Sequence, residues 1–196
     1  MSTVSVDRTA KRHYGDDAGR YYSVSQVLDV VHGKAHWGSQ EAMDRGTALH
    51  RIFALAVAAH AGLCAEPVVP AEYEGYRKSM GLWISTANPD PIDIEQRAVS
   101  TLRGLPFAGT RDLYARVHDR SKLYRTLIDL KTGQPESWHK IQVQAYGKLC
   151  PGVERHAILY IHEDGSMPTW KIVKPDPRDW AAFQAAVSLL QYREGL

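Results

Sequence analysis

The sequence predicts an α/β (α+β) domain in which a mixed central β-sheet is flanked by helices and preceded by an N-terminal helical elaboration. Three observations carry that expectation. Apolar residues recur at helical spacing through most of the stretch from Ser25 to Thr86, the pattern of helices that bury one face. From Ile92 the period changes to 2 and holds over three strand-length segments, as half-buried strands require. A helical segment then separates the third strand from the apolar run His156–Ile161. Short turns join antiparallel neighbours, whereas an intervening helix permits a parallel step, so the sheet should contain both. The expected order is helices followed by β-β-β-α-β-β-α.

Residues 1–20 are polar, carry a small basic cluster at Lys11, Arg12 and His13, and are expected to form a flexible lead. Residues 21–196 are expected to form one domain, helical over 21–88 and sheet-based over 92–196. Ser25 is a candidate cap and Gly33 a candidate stop for a first short helix, with Val27, Leu28 and Val31 as its apolar stripe. Lys34 to Gly38 reads as a loop. A longer helix should run from Gln40 to His60, capped by Ser39 and closed by Gly62. Met43, Leu49, Ile52, Phe53, Ala56 and Val57 form its stripe. Gly46 interrupts it at a cost of about 1 kcal/mol relative to Ala, which suggests close approach of another segment. A third helix fits Ala71 to Thr86, with Tyr73, Tyr76, Met80 and Trp83 on one face, and Pro89-Asp90-Pro91 ends it.

Ile92 to Val99 reads as the first strand and Gly104 to Pro106 as a turn. Phe107 to Val117 is the second strand, with Thr110, Asp112 and Tyr114 on one face and Arg111, Leu113 and Ala115 on the other. After a polar turn, Leu123 to Lys131 completes a meander. Following the loop Thr132 to Glu136, Ser137 is a candidate cap for a helix to Leu149 that buries Ile141, Ala145 and Leu149. His156 to Ile161 has the unbroken apolar character of a central strand. Glu163-Asp164-Gly165 is a hairpin signal before a returning strand at Thr169 to Val173. Asp176 caps a last helix with Pro177 at its first position and Trp180, Phe183, Val187 and Leu190 as its stripe.

With 44% hydrophobic and 23% charged residues, the composition is that of a globular domain. The 24 Lys and Arg against 22 Asp and Glu leave a net charge of +2, so no strong overall field advertises nucleic acid, although a local basic groove is compatible with it. Cys64 and Cys150 have no metal-ligand spacing, and two lone cysteines suit a reducing compartment. The start has no apolar signal segment, and no run reaches membrane-spanning length. A cytoplasmic protein without a membrane partner is expected.

The stretch Leu127-Ile128-Asp129-Leu130-Lys131-Thr132-Gly133 concentrates the chemistry. On a strand Asp129 and Lys131 project together, while Ile128 and Leu130 pack on the other side. A carboxylate there holds a hard divalent cation, and an ammonium places a water or offsets charge building on phosphate oxygens. A structural alternative is an ion pair at the end of a buried strand. Asp112, on the preceding strand, can lie near Asp129 if the register allows; a cation would relieve the repulsion of the two carboxylates. Its alternative is pairing with Arg111 or Arg116. His50, in Arg45-Gly46-Thr47-Ala48-Leu49-His50, offers an imidazole nitrogen or is a boundary residue of its helix. Gln142 and Tyr146 share a helix face at i and i+4, either contacting a phosphate and the lysine or lying at an amphipathic boundary.

Four motifs thus follow one another: a Gly-Thr-x-x-His helix, a Gly-Thr-x-Asp strand, an Ile-Asp-Leu-Lys-Thr-Gly strand and a Gln-x-x-x-Tyr helix. The series resembles the PD-(D/E)xK nuclease superfamily in its RecB-like, Cas4-like branch, as in phage exonucleases and the mitochondrial genome maintenance exonuclease. The opening Tyr22-Ser23-Val24-Ser25-Gln26-Val27-Leu28 is similar to that of some phage members. The resemblance spans roughly Tyr21 to Ile172 and implies a restriction-endonuclease-like core. It implies His50, Asp112, Asp129 and the Leu130 carbonyl as metal ligands and Asp112, Asp129 and Lys131 as catalytic residues. Gln142 and Tyr146 would bind substrate, and Glu95 is a possible further acidic group. Mg²⁺ or Mn²⁺ is the implied cofactor. Branch members with an iron–sulfur cluster carry four cysteines, so with Cys64 and Cys150 alone no cluster is expected here.

The resulting expectation is a metal-dependent DNA exonuclease acting on single-stranded or duplex ends in recombination, repair or end processing. A recombination or single-strand-binding partner would fit, as would a host cytoplasm if the protein is phage-encoded. No helicase motor is present. The helical part Ser25 to Thr86 would cover the site, with Trp37, Tyr73, Tyr76 and Trp83 as candidate base-stacking residues, although helical spacing favours the last three as core. The alternatives are a structure-selective endonuclease on the same core and a non-catalytic DNA- or partner-binding protein with a nuclease fold.

Overall fold

The structure, a computed structural model, describes residues 14–16, 19–32, 39–100, 102 and 104–195. The basic cluster at Lys11 to His13, Gly33, the loop Lys34 to Gly38 and Trp37 lie outside them. The fold is a mixed sheet with helices packed on it. Its elements are β1 (Tyr14–Asp16), β2 (Gly19–Ser23), α1 (Val24–His32), α2 (Gln40–His60), α3 (Glu74–Ala87), β3 (Asp90–Val99), β4 (Phe107–Asp119), β5 (Lys122–Lys131), α4 (Ser137–Lys148), β6 (Arg155–Tyr160), β7 (Thr169–Val173) and α5 (Pro177–Glu194). The strands β1 and β2 were not anticipated from sequence. They form a short antiparallel pair, so the expected flexible lead contains ordered strand at 14–16 and from Gly19.

The remaining strands follow the expected order. Strands β3, β4 and β5 are an antiparallel meander, β6 lies parallel to β5 across the α4 crossover, and β7 returns antiparallel to β6. On the edge away from β3, strand β4 has one neighbour at its beginning and another at its end. Parallel β2 pairs with it at Tyr22↔Phe107 and Ser23↔Ala108, and β5 pairs with it from Leu113↔Ile128 onward. Between those two pairings the sheet is split, and the split is where the site forms.

The sheet separates two apolar clusters. On one side Val27, Leu28, Leu127, Val143, Ile158, Phe183 and their neighbours join α1, α4 and α5 to the sheet. On the other, Leu49, Phe53, Met80, Leu113, Ile128, Leu130 and Leu159 join α2 and α3 to it. The alternation of β5 delivers Leu127 to the first cluster and Ile128 to the second, the strand period expressed across two packed layers.

Several local expectations are revised. The cap of α1 is Ser23, not Ser25: its hydroxyl accepts from the Gln26 amide at 3.1 Å while Gln26 Oε1 accepts from the Ser23 amide at 2.7 Å, a reciprocal capping box. The cap of α4 is also earlier than expected, at Glu136 rather than Ser137, boxed with His139. Helix α4 is buried well beyond Ile141, Ala145 and Leu149, because His139, Gln142, Val143, Gln144 and Tyr146 are covered too. Met43 is exposed rather than core. A Cβ on Gly46 would meet no atom within 4 Å, so no segment approaches it closely; it lines a cavity instead.

Candidate active site

The split between β2 and β5 leaves Asp112 and Asp129 at the parting of two strands. Leu113↔Ile128 is the last pair of the β4–β5 ladder, and one step further along each strand stand the two aspartates. Asp112 caps the broken ladder: its Oδ2 accepts the Leu130 amide at 2.7 Å, satisfying a buried donor that would otherwise lack a backbone partner. Its Oδ1 lies 3.0 Å from His50 Nδ1 on α2. The alternative partners are engaged elsewhere. Arg111 donates to the Leu149 carbonyl and to Asp93, and Arg116 donates to Asp90.

Strand β4 does not alternate regularly here. Leu113 and Ala115 pack under α2 and α3, but Arg111, of the same parity, reaches the Leu149 carbonyl after α4, as Tyr114 reaches Pro151. The expected grouping of Arg111 with Leu113 and Ala115 therefore fails. Across β3, Glu95 falls opposite Asp112, between the pairs Ile94↔Leu113 and Gln96↔Arg111. Glu95 has φ +49°, a left-handed conformation that costs a non-glycine residue about 1–3 kcal/mol and concentrates at functional sites. The kink brings Glu95, Asp112 and His50 together, with one donor atom of each within 4.8 Å of the others.

On the other bank, Lys131 Nζ lies 2.7 Å from Asp129 Oδ2. Asp129 is 2% exposed, and Ile128 and Leu130 are buried on the opposite face, as the alternation requires. A cleft of about 860 Å³ opens over His50, Asp112, Asp129, Lys131, Gln142 and Tyr146. Glu95 and Trp138 also line it. Gln142 Nε2 donates to Tyr146 Oη at 3.3 Å, while Gln142 Oε1 is buried with no hydrogen-bond partner.

The electrostatics set the two aspartates apart. Burial pushes the Asp129 carboxyl up to about 6; the Lys131 ammonium opposes the rise and Asp112 reinforces it. Burial acts in the same upward direction on Asp112, but His50, Lys131 and the Leu130 amide more than offset it, and its pKa is lowered. For His50, burial disfavours the imidazolium, yet Asp112 outweighs burial and the pKa is raised. Burial, with Asp112 beside it, raises Glu95. A carboxylate whose ionisation is opposed by burial and by a second carboxylate is what a cation relieves.

The donor set fits Mg²⁺ or Mn²⁺. It offers hard carboxylate oxygens and one imidazole, and ligands at 2.0–2.1 Å and right angles stand about 3 Å apart, close to the 3.0 Å between His50 and Asp112. The geometric group of His50, Asp112 and Glu95 does not include Asp129, which lies against Lys131 instead. Leu130 contributes its amide to Asp112 and its side chain to the core.

Every expected site side chain other than Leu130 lines the cleft. Trp138 was missed; it stands four residues before Gln142 on the stripe that continues to Tyr146, and that spacing was the available signal. Its ring centroid is 5.9 Å from Lys131 Nζ. Tyr76 and Trp83 are core, and Tyr73 packs against the same cluster, so these three do not offer base-stacking faces. Helix α2 flanks the cleft, whereas α3 contributes no lining residue among those described.

No protein-family model and no curated protein matches this chain. Among solved structures, a crystal structure of a protein called SSO0001 is similar over 91% of this chain and 79% of its own, at 17% identity and a TM-score of 0.44. No helix among the described residues is long and apolar enough to cross a membrane.

Proposed function

We propose that the protein is a divalent-metal-dependent deoxyribonuclease, an exonuclease of the PD-(D/E)xK type that hydrolyses phosphodiester bonds at DNA ends. The observation that carries this reading is the adjacency, in one cleft, of the Asp112–His50 and Asp129–Lys131 pairs at 3.0 and 2.7 Å. A structural ion pair needs no second carboxylate beside it; a cation site does. Asp112, Asp129 and His50 would hold the cation, with Glu95 close enough to join them. A bound Mg²⁺ or Mn²⁺ supplies Lewis-acid activation of water and charge neutralisation at the phosphate.

The chain's own residues do the rest. Lys131 is 14% exposed, so its ammonium acts in a poorly hydrated site, where a donor to a phosphate oxygen or to the attacking water has most effect. Gln142 lines the cleft, has a buried Oε1 without a partner and is tied to Tyr146, which suits it to orient the substrate or the lysine. Hydrolysis forms a P–O bond from water, breaks the P–O bond to the leaving strand and returns a proton to the leaving oxygen. DNA recombination, repair or end processing in the cytoplasm is the setting that this activity fits.

The test is incubation with end-labelled single-stranded, duplex and covalently closed circular DNA in EDTA, Mg²⁺ or Mn²⁺, beside folded Asp129→Ala and Lys131→Ala proteins. Metal-dependent loss of linear DNA that spares circles and vanishes in both variants is the expected result. Cutting of circles would replace the exonuclease with an endonuclease. Intact substrates under every condition would refute the nuclease reading.

A further inference from the structure

A second cavity, of about 570 Å³, adjoins the cleft and shares His50, Lys131 and Trp138 with it. It holds fewer carboxylates. The carboxylates Glu95, Asp112 and Asp129 line only the first; Arg45 and His139 line only the second. Glu136 is the one carboxylate among the described residues of the second wall. It is occupied, accepting the Trp138 indole N–H at 2.7 Å and a backbone amide of the α4 capping box.

Two donors there lack acceptors. Arg45, on α2, is half-buried, and its Nε is enclosed without a hydrogen-bond partner. An enclosed guanidinium N–H left unpaired is costly unless something supplies an acceptor. His139 is 4% exposed. The Glu136 amide donates to its Nδ1 at 3.3 Å, and Tyr160 Oη lies 3.0 Å from the same atom. A backbone amide only donates, so Nδ1 is the acceptor and the proton sits on Nε2. Burial, aided by Lys131 and Lys171, holds the His139 pKa down at about 3, which keeps that tautomer neutral. No acceptor among the described residues takes the Nε2 proton.

We propose that Arg45, Lys131 and His139 form a phosphate subsite that takes the phosphate next along the strand from the one hydrolysed at Asp112 and Asp129. The three residues come from separate elements, α2, the end of β5 and the first turn of α4, and line one cavity. Lys131 stands in both walls, so the second cavity adjoins the space over the carboxylates. A guanidinium, an ammonium and a neutral imidazole N–H suit a tetrahedral oxyanion. The assignment to a flanking phosphate rests on the nuclease reading; the anion subsite does not.

Two measurements separate these. In the metal-free protein, titration with inorganic phosphate is followed by the NMR resonances of the Arg45 Nε–H group in the wild type and of the His139 backbone amide in the wild type, Arg45→Lys and Arg45→Gln proteins, the two variants controlling for folding and charge. A saturable shift, with phosphate affinity weakened about tenfold in Arg45→Gln and largely kept in Arg45→Lys, is expected. Absence of a saturable shift would overturn the subsite whatever the activity. Single-turnover cleavage is then measured on oligonucleotides carrying one uncharged methylphosphonate at each linkage in turn. Neutralising the linkage beside the cut should slow the wild-type protein about tenfold and Arg45→Gln hardly at all. Equal slowing of both proteins, or no sensitive neighbouring linkage, would overturn the flanking assignment and leave free or terminal phosphate as the ligand. If no DNA is cleaved by the wild type, the nuclease reading and the flanking assignment fall together, and the titration alone decides the subsite.

Discussion

Replacing Asp129 by asparagine should make the metal-free protein more stable at neutral pH while removing its response to cations. The carboxyl is 2% exposed and its pKa is raised from 3.8 to about 6, chiefly by burial. A pKa difference of one corresponds to about 1.36 kcal/mol between the two protonation states, so ionising Asp129 in the folded protein at pH 7 costs about 3 kcal/mol. An amide is a neutral isostere of the protonated carboxyl and avoids that cost. The sign follows from linkage. Between pH 3.8 and about 6 the folded state binds more protons at Asp129 than the unfolded state does, so this group's contribution falls as pH rises through that window and is constant above it. The stability difference between Asp129→Asn and wild type should grow from near zero below pH 4 to about 3 kcal/mol above pH 6. Urea denaturation of both proteins in EDTA from pH 4 to 8 measures it, and other titrating groups cancel in the comparison. Mg²⁺ at a hundred times its Kd should stabilise the wild type by about 2.7 kcal/mol and the variant far less. A variant less stable than wild type at pH 7 in EDTA, or a difference independent of pH, would refute the reasoning and leave Asp129–Lys131 as an ordinary stabilising pair.

Other perturbations probe the remaining parts. Lys131→Ala should lower single-turnover cleavage by about 10²–10³ while cation-induced stabilisation, read by thermal shift, persists. The raised His50 pKa means that its pairing with Asp112 stabilises the fold fully below pH 6.5 and fades as pH rises through the higher folded value. Wild type should therefore exceed His50→Ala in stability most at pH 5–6 and progressively less as pH rises above 6.5, and Mn²⁺ affinity measured by calorimetry should climb in the same direction as the competing proton leaves. A Cβ on Gly109 would lie 2.5 Å from Tyr146 Cε1. Gly109→Ala should displace that ring and cost about 1–3 kcal/mol in urea denaturation, with loss of activity because Gln142 is tied to Tyr146. Ser23→Ala removes the α1 cap and should cost about 1 kcal/mol without changing the cation response.

Elements that depend on local periodicity and caps are legible in the chain alone. The bounds of α2, Gln40–His60, and its Ser39 cap follow from residues adjacent in the chain, as does the Asp176-Pro177 start of α5. The alternation of β5, with Asp129 and Lys131 on one face and Ile128 and Leu130 on the other, is equally local, because side chains of a strand change face at every residue. What those faces meet is settled by long-range packing. No periodicity shows that β4 exchanges β2 for β5 midway, yet that exchange opens the gap in which Asp112 and Asp129 stand. Nor does composition show that Glu95 kinks toward Asp112 and His50, since a left-handed glutamate in a strand is imposed by its neighbours across the sheet rather than by its own propensity. The strands β1 and β2 were hidden for the same reason: β2 is short, and its register is set against Phe107 and Ala108, more than eighty residues away. The second cavity is a property of packing alone, because Arg45, Lys131 and His139 share no segment, spacing or motif and adjoin only once α2, β5 and α4 are assembled.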